Sequence, residues 1–181
     1  MTTTPSRQAT PELKALANLF YLSLDELGEF EEVSTNETPE RACDLLWHDQ
    51  HMTVSVEKLH ETPVNVGVLT THLTPTHYSR RIVLTCQSNG RPVLFGIVRL
   101  SLEPLPAKVR EEIESQETPL GRILIQHNVL RHVRPLSLWK VKPGVDLQQQ
   151  LAVEPDDVCF GRTALIYCNG LPAVELLEIV N

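Results

Sequence analysis

Three features of this chain have the residue types to do chemistry. They are the run Thr118-Pro119-Leu120-Gly121-Arg122-Ile123-Leu124, an arginine that opens a strand-like run, Arg80, and a glutamate inside an apolar C-terminal run, Glu178. The run opens a short helix, and the first N–H groups of a helix have no partner within it, so they bind carboxylates. An arginine holds a carboxylate through two parallel N–H···O bonds. An acid in apolar surroundings holds its proton to higher pH, or hydrogen-bonds a substrate hydroxyl. Together the three make a small pocket for an anionic substrate.

The elements that must position them follow from periodicity. Apolar residues recur at helical spacing through Leu13, Leu16, Ala17, Phe20, Leu24 and Leu27, with Pro11 suited to the first turn and Gly28 to the stop. A second helix follows Thr38-Pro39-Glu40 and runs to Leu46. The period then changes to two: 52–59 and 64–73 read as strands, and 78–87 and 92–100 as a hairpin around Ser88-Asn89-Gly90-Arg91. Residues 106–115 read as a helix, 119–124 as a short one, and 126–142 as extended. A second hairpin, 161–168 and 172–180, turns at Asn169-Gly170. Residues 1–10 read as a disordered tail and 11–181 as one domain. Strands joined by hairpins and flanked by helices make an α+β domain with an antiparallel sheet.

Period two also orients the candidates. Arg80 shares a face with Ile82, Leu84 and Cys86, whereas Arg81 shares one with Val83, Thr85 and Gln87. Arg80 is the one that turns inward, and an inward arginine needs an anionic partner. That partner is a ligand carboxylate or an internal Asp or Glu; spacing leaves both open. Glu175 and Glu178 face opposite ways along a strand apolar on both sides, so periodicity does not choose between them. His48, Asp49 and His51 hint at a metal site, but no three ligands have metal spacing, and solvated histidines fit better. Arg131, His132 and Arg134 form a basic cluster suited to drawing in an anion or to a solvated surface.

Composition bounds the rest. The 181 residues are 41% hydrophobic and 22% charged, enough for one domain with a real core. A net charge of −7 argues against general nucleic-acid binding, which needs a clustered basic face. No apolar run approaches bilayer length and the N-terminus has no apolar signal core. The cysteines Cys43, Cys86, Cys159 and Cys168 form no CxxC pair and read as free thiols of a reducing cytoplasm.

Four segments in register resemble the chorismate lyase (chorismate–pyruvate lyase) family, especially its branch in photosynthetic lineages. Asp49-Gln50-His51-Met52-Thr53 is similar to an acidic-x-Met-Thr loop of that family, and Arg80-Arg81-Ile82-Val83-Leu84 to its Arg-x-Ile-hydrophobic-Leu strand. Thr118–Leu124 is similar to its Thr-Pro-Leu-Gly-Arg-x-Leu segment. Gly161-Arg162, Gly170-Leu171-Pro172 and Glu178 are similar to its closing hairpin.

The resemblance implies a six-stranded antiparallel sheet with flanking helices and an internal ligand pocket. It implies elimination of pyruvate from chorismate to give 4-hydroxybenzoate, without metal or organic cofactor, for quinone (plastoquinone-type) biosynthesis. Arg80 would clamp a carboxylate and Glu178, with Glu175 as the alternative, would sit at the other end of the ring. Met52, Thr53, Leu120 and Gly121 would line the substrate, Met52 and Leu120 through their backbone.

The rival expectation is a non-catalytic sensor of an aromatic acid, since the same fold serves as the effector domain of some transcription regulators. Only about 45 residues precede the sheet here, a segment made acidic by Asp25, Glu26, Glu29, Glu31 and Glu32, and the expectation is that they leave no room for a basic DNA-reading head. The expected partners are therefore chorismate and 4-hydroxybenzoate, with no nucleic acid and no membrane insertion, for a cytoplasmic monomer.

Overall fold

The computed structural model describes residues 13–103, 105–129 and 131–181. Strands β1 (Gly28–Val33), β2 (Val64–Leu73), β3 (His77–Cys86), β4 (Pro92–Ser101), β5 (Arg131–Pro143), β6 (Cys159–Cys168) and β7 (Leu171–Val180) form one sheet. Its order is β1-β5-β6-β7-β4-β3-β2, and every neighbouring pair is antiparallel.

Helices cover both faces. Helices α1 (Leu13–Ala17), α2 (Leu24–Leu27) and α7 (Val145–Leu151) close one side. There Leu16, Leu27 and Leu147 pack on Phe95, Ile97, Leu177 and Ile179. The other side carries α3 (Glu40–Leu46), α4 (Met52–His60), α5 (Ala107–Ser115) and α6 (Leu120–Gln126). Under α5 and α6 lie Val98, Leu100, Ile166 and Leu176, and under α3 and α4 lie Ile82, Leu84, Leu94 and Val180. The candidate residues sit between these two apolar clusters.

The α+β class and the antiparallel sheet are as expected, but the sheet has seven strands, not six. The added strand is β1, an acidic edge whose Glu29 and Glu31 lie opposite Lys142 and Lys140. Its only large apolar residues, Phe30 and Val33, are three apart and so lie on opposite faces, and no apolar period announces it. The first helix is not continuous to Leu27. Ser23 restarts it as α2 with a capping box, its side chain accepting from the Asp25 N–H while Glu26 reaches back to the Ser23 N–H. Leu22, 98% exposed, marks the break.

The expected strand at 52–59 is helix α4. Met52, Val54 and Val56 alternate as in a strand, yet Met52, Val56 and Leu59 also share a helical face. Packing decides: Met52 and Val56 are buried and Val54 is not. Helix α7 had no sequence-based expectation behind it. Pro11 and the 1–10 tail lie outside the described residues, as does the Arg131 side chain.

Cys86, Cys159 and Cys168 are buried, and only Cys43 is not. Burial pushes the Cys159 thiol up to about 11, with Asp157 adding to the shift. Native protein near neutral pH is therefore expected to alkylate at Cys43 alone, and at every thiol once unfolded. Peptide mass mapping after a short iodoacetamide pulse checks this.

Candidate ligand-binding cavity

Cross-strand register sets the site. On the face beneath α4–α6, one row runs Arg162, Glu178, Gly96, Ile82 across β6, β7, β4 and β3. The next row runs Ala164, Leu176, Val98, Arg80. Arg80 and Glu178 therefore project from one face of strands two apart, about 10 Å across the sheet. Arg81 faces the opposite side, where it pairs with Asp146 at 2.8 Å and donates to the Tyr21 hydroxyl. Glu175 also faces away from Glu178 and pairs with Arg99 at 3.3 Å.

A β-bulge separates the two glutamates. The β6–β7 hairpin leaves its turn with Cys168 opposite Leu171, but the register shifts between Ile166 and Tyr167. Ala173 is the extra residue, next to Pro172, which has no N–H for a regular ladder. Without that shift Arg162 would lie opposite Leu177. With it, Arg162 lies opposite Glu178.

The Arg162–Glu178 pair is the polar centre. Arg162 has no exposed surface, and its Nε donates to Glu178 Oε2 at 2.8 Å. Its Nη1 donates to the carbonyls of Leu46 at 2.9 Å and His48 at 3.1 Å. One guanidinium thus neutralises the buried acid and pins the α3–α4 junction to the sheet. Arg162 belongs to the Gly-Arg pair of the closing hairpin, for which the resemblance implies no role. Its signal was available: it is a charge in an otherwise apolar strand, as Arg80 and Glu178 are.

Arg80 is different. It too has no exposed surface, yet its only hydrogen bond among the described residues is a long one, Nη1 to the Ile113 carbonyl at 3.5 Å. Nε and Nη2 make no hydrogen bond of regular geometry among them, and neither does the Tyr78 hydroxyl, which lies close enough to Arg80 to interact with its charge. No carboxylate of the described residues lies within ion-pair distance of it. Burial lowers the affinity of Arg80 for its proton, and the adjacent Tyr78 phenol partly offsets that. A buried charge without a counterion is strongly unfavourable.

The helices converge above these rows. The first turns of α4 and α6 touch: a Cβ on Gly121 would come within 2.8 Å of Thr53 Oγ1. Only glycine allows this approach. Neither helix start has a side-chain cap, so its first-turn N–H groups are left to other partners. Arg122 pairs with Glu57 to tie α6 to α4, and His127 pairs with Glu112 to tie α6 to α5. Arg122 is accordingly a fastener.

Beneath this cover lies a cavity lined by, among others, Met52, Thr53, Leu120, Gly121, Arg162 and Glu178. All expected site residues except Arg80 line it. Arg80 stands at its margin, beside the lining residues Ile82 and Val98. The cavity is about 30 Å³, room for roughly one or two waters, so an aromatic acid enters only if α4 and α6 part. An open cleft of about 660 Å³ adjoins it, and His51 and Val133 line both. His48, once weighed as a metal ligand, accepts from the Gln50 N–H and bonds the Leu45 carbonyl. No group of three or more His, Cys, Asp or Glu is placed to hold a metal among the described residues.

The fold and cavity define a class: an α+β domain of chorismate lyase-like architecture whose antiparallel sheet and helical cover enclose a polar-centred pocket. Solved structures share the fold. PhnF from Mycobacterium smegmatis superimposes with a TM-score of 0.57 at 13% identity, over 72% of this chain and 63% of that one. The chain thus spans less than two thirds of PhnF. The effector domain of PhnF gives 0.53 at 12% identity, over 73% of this chain and 88% of that one. The ligand-binding domain of a transcriptional regulator from Bordetella bronchiseptica, assigned to the GntR family, gives 0.52 at 16%, over 65% and 85%. No protein-family model and no curated protein sequence matches the chain.

At these identities the likeness is one of fold. It carries no lyase activity to this chain, and it does not bear out the expectation, read from charge, of no nucleic-acid partner. No helix among the described residues is long and apolar enough to cross a membrane.

Two outcomes follow from the site. Arg162→Met leaves Glu178 buried without a counterion and is expected to lose about 3–5 kcal/mol in urea unfolding. Adding Glu178→Leu should restore most of that loss. The second concerns pH. Burial, first among the causes, holds His48, His60 and His77 below their ordinary value of 6.5. The unfolded chain then binds more protons than the folded one, so stability falls as pH drops below about 6.5 and is unaffected by these groups above it. Urea midpoints at about pH 7.5 and pH 5 check the sign, and His48→Gln should shrink the difference.

Proposed function

We propose that this protein binds a small aromatic carboxylate between the sheet and the α4–α6 cover. One observation carries the reading: Arg80 is a fully buried guanidinium with two nitrogens that make no hydrogen bond of regular geometry among the described residues. A ligand carboxylate supplies the missing counterion, in the bidentate form that guanidinium geometry favours. The apolar side chains of Ile82, Leu94, Val98 and Leu176 suit a ring. The Arg162–Glu178 pair, two and three strands from Arg80, suits a hydroxyl at the ring's far end. Met52 and Leu120 add backbone groups at two uncapped helix starts. The ligand named by the resemblance, 4-hydroxybenzoate, has this pattern: carboxylate, ring and para hydroxyl.

Folds shared with an effector domain and a ligand-binding domain support binding without turnover, as in a sensor. A second reading is favoured by the buried carboxylate of Glu178, which lines the cavity at whose margin Arg80 stands. Here chorismate is the bound species, its enolpyruvyl C–O bond breaks, the ring loses a proton and aromatises, and enolpyruvate gains one to leave as pyruvate. Arg80 would hold the ring carboxylate and Glu178 a proton or the ring hydroxyl.

Calorimetric titration with 4-hydroxybenzoate and with chorismate, followed by chromatography of the mixtures, separates these readings. Binding of 4-hydroxybenzoate with chorismate recovered intact supports the sensor. Conversion of chorismate to 4-hydroxybenzoate and pyruvate supports the lyase. Binding of neither overturns both.

A further inference from the structure

The sheet has two edges, and the chain treats them differently. At one edge β1 carries Glu29, Glu31 and Glu32, and two of these face lysines of β5. Self-pairing there is opposed by charge, since a two-fold axis through Phe30 sets Glu29 against Glu31 of another copy. At the other edge β2 runs ten residues, Val-Asn-Val-Gly-Val-Leu-Thr-Thr-His-Leu, without a proline, an acid, a lysine or an arginine. Natural edge strands rarely go without such guards over this length.

The two halves of β2 also differ. At its start the Glu57 carboxylate accepts the Val64 N–H at 2.9 Å, and Val64, Val66 and Val68 pack into the core under α3 and α4. A bulge at Leu69 ends this section. From Leu69 to Leu73 every residue is exposed, with Leu73 63% exposed. The hairpin tip thus projects beyond the helical cover with open backbone groups and bare leucines.

We propose that this segment pairs antiparallel with the same segment of a second copy of the chain, joining the two sheets. The sequence is self-complementary about Thr71: a two-fold axis there sets Thr71 on Thr71, Thr70 on His72 and Leu69 on Leu73 of the other copy. Threonine pairs and leucine pairs are favourable across strands, and no like charges meet. Thr71 is the cross-strand partner of Arg80, so the interface lies one strand from the candidate cavity. The inference does not depend on what the cavity binds, and it replaces the expectation of a monomer.

Sedimentation velocity of the full chain over a concentration series, with amide hydrogen exchange at each end of the series, tests this. The expected result is a species of twice the chain mass, with slow exchange at Thr70–Leu73 that is lost on dilution. Leu73→Lys is expected to weaken association about tenfold or more, with unchanged circular dichroism. Leu69→Lys should do the same from the opposing position. A chain that stays monomeric throughout overturns the proposal. So does a dimer whose affinity neither variant alters. Edge amides protected equally at every dilution in a chain that sediments as a monomer overturn it too. Should a variant not fold, the dilution dependence of exchange in the unmodified protein decides.

Discussion

Two guanidinium groups lie fully buried on one face of this sheet, and only one of them has a counterion within the described structure. Arg162 is satisfied three ways, by Glu178 and by two backbone carbonyls, and so fixes where the α3–α4 junction meets β6. Among the described residues, the one regular hydrogen bond of Arg80 is a long one to a carbonyl of α5. The energetic difference between them organises the region. The first pair is a strut whose loss leaves a naked buried acid. The second is a charge held at a cost that other interactions of the fold must offset.

The cover over these residues is knitted from few parts. Gly121 lets α6 approach α4 until a side chain would collide with Thr53, and the Arg122–Glu57 ion pair and the His127–Glu112 contact hold it to α4 and α5. These pairs are partly exposed, so each adds little to stability. The cover is therefore close-fitting but weakly fastened. A cavity of about 30 Å³ beside an open cleft of about 660 Å³ fits that description. Binding an aromatic acid requires helix displacement, which makes association slower than diffusion and ties affinity to the opening equilibrium.

Much of this was legible in the sequence, for identifiable reasons. Arg80 was separated from Arg81 by period two alone, because β3 is long and one of its faces is plainly apolar. The Asn-Gly turns fixed both hairpins, and Thr118–Leu124 declared a short helix by its proline. What stayed hidden depended on register or on competing periods. Helix α4 is short enough that alternation and helical spacing both fit it. Strand β1 is an edge whose pattern is charge pairing with β5. Glu178 over Glu175, and Arg162 as its partner, rest on the bulge at Ala173. A regular hairpin from Asn169-Gly170 would place Arg162 opposite an apolar residue, so no pattern in the strand itself reveals the pair.

If Arg80 is kept for a ligand, it should contribute nothing to the stability of the empty protein. The most direct measurement is the urea unfolding free energy of the unmodified chain and of Arg80→Met, each with and without saturating 4-hydroxybenzoate. Met removes the charge and keeps most of the volume. The account predicts that the empty variant is as stable as the unmodified chain or more so, and that the ligand stabilises only the unmodified chain. A loss of about 3–5 kcal/mol in the empty variant, the cost of breaking a buried pair, would contradict it.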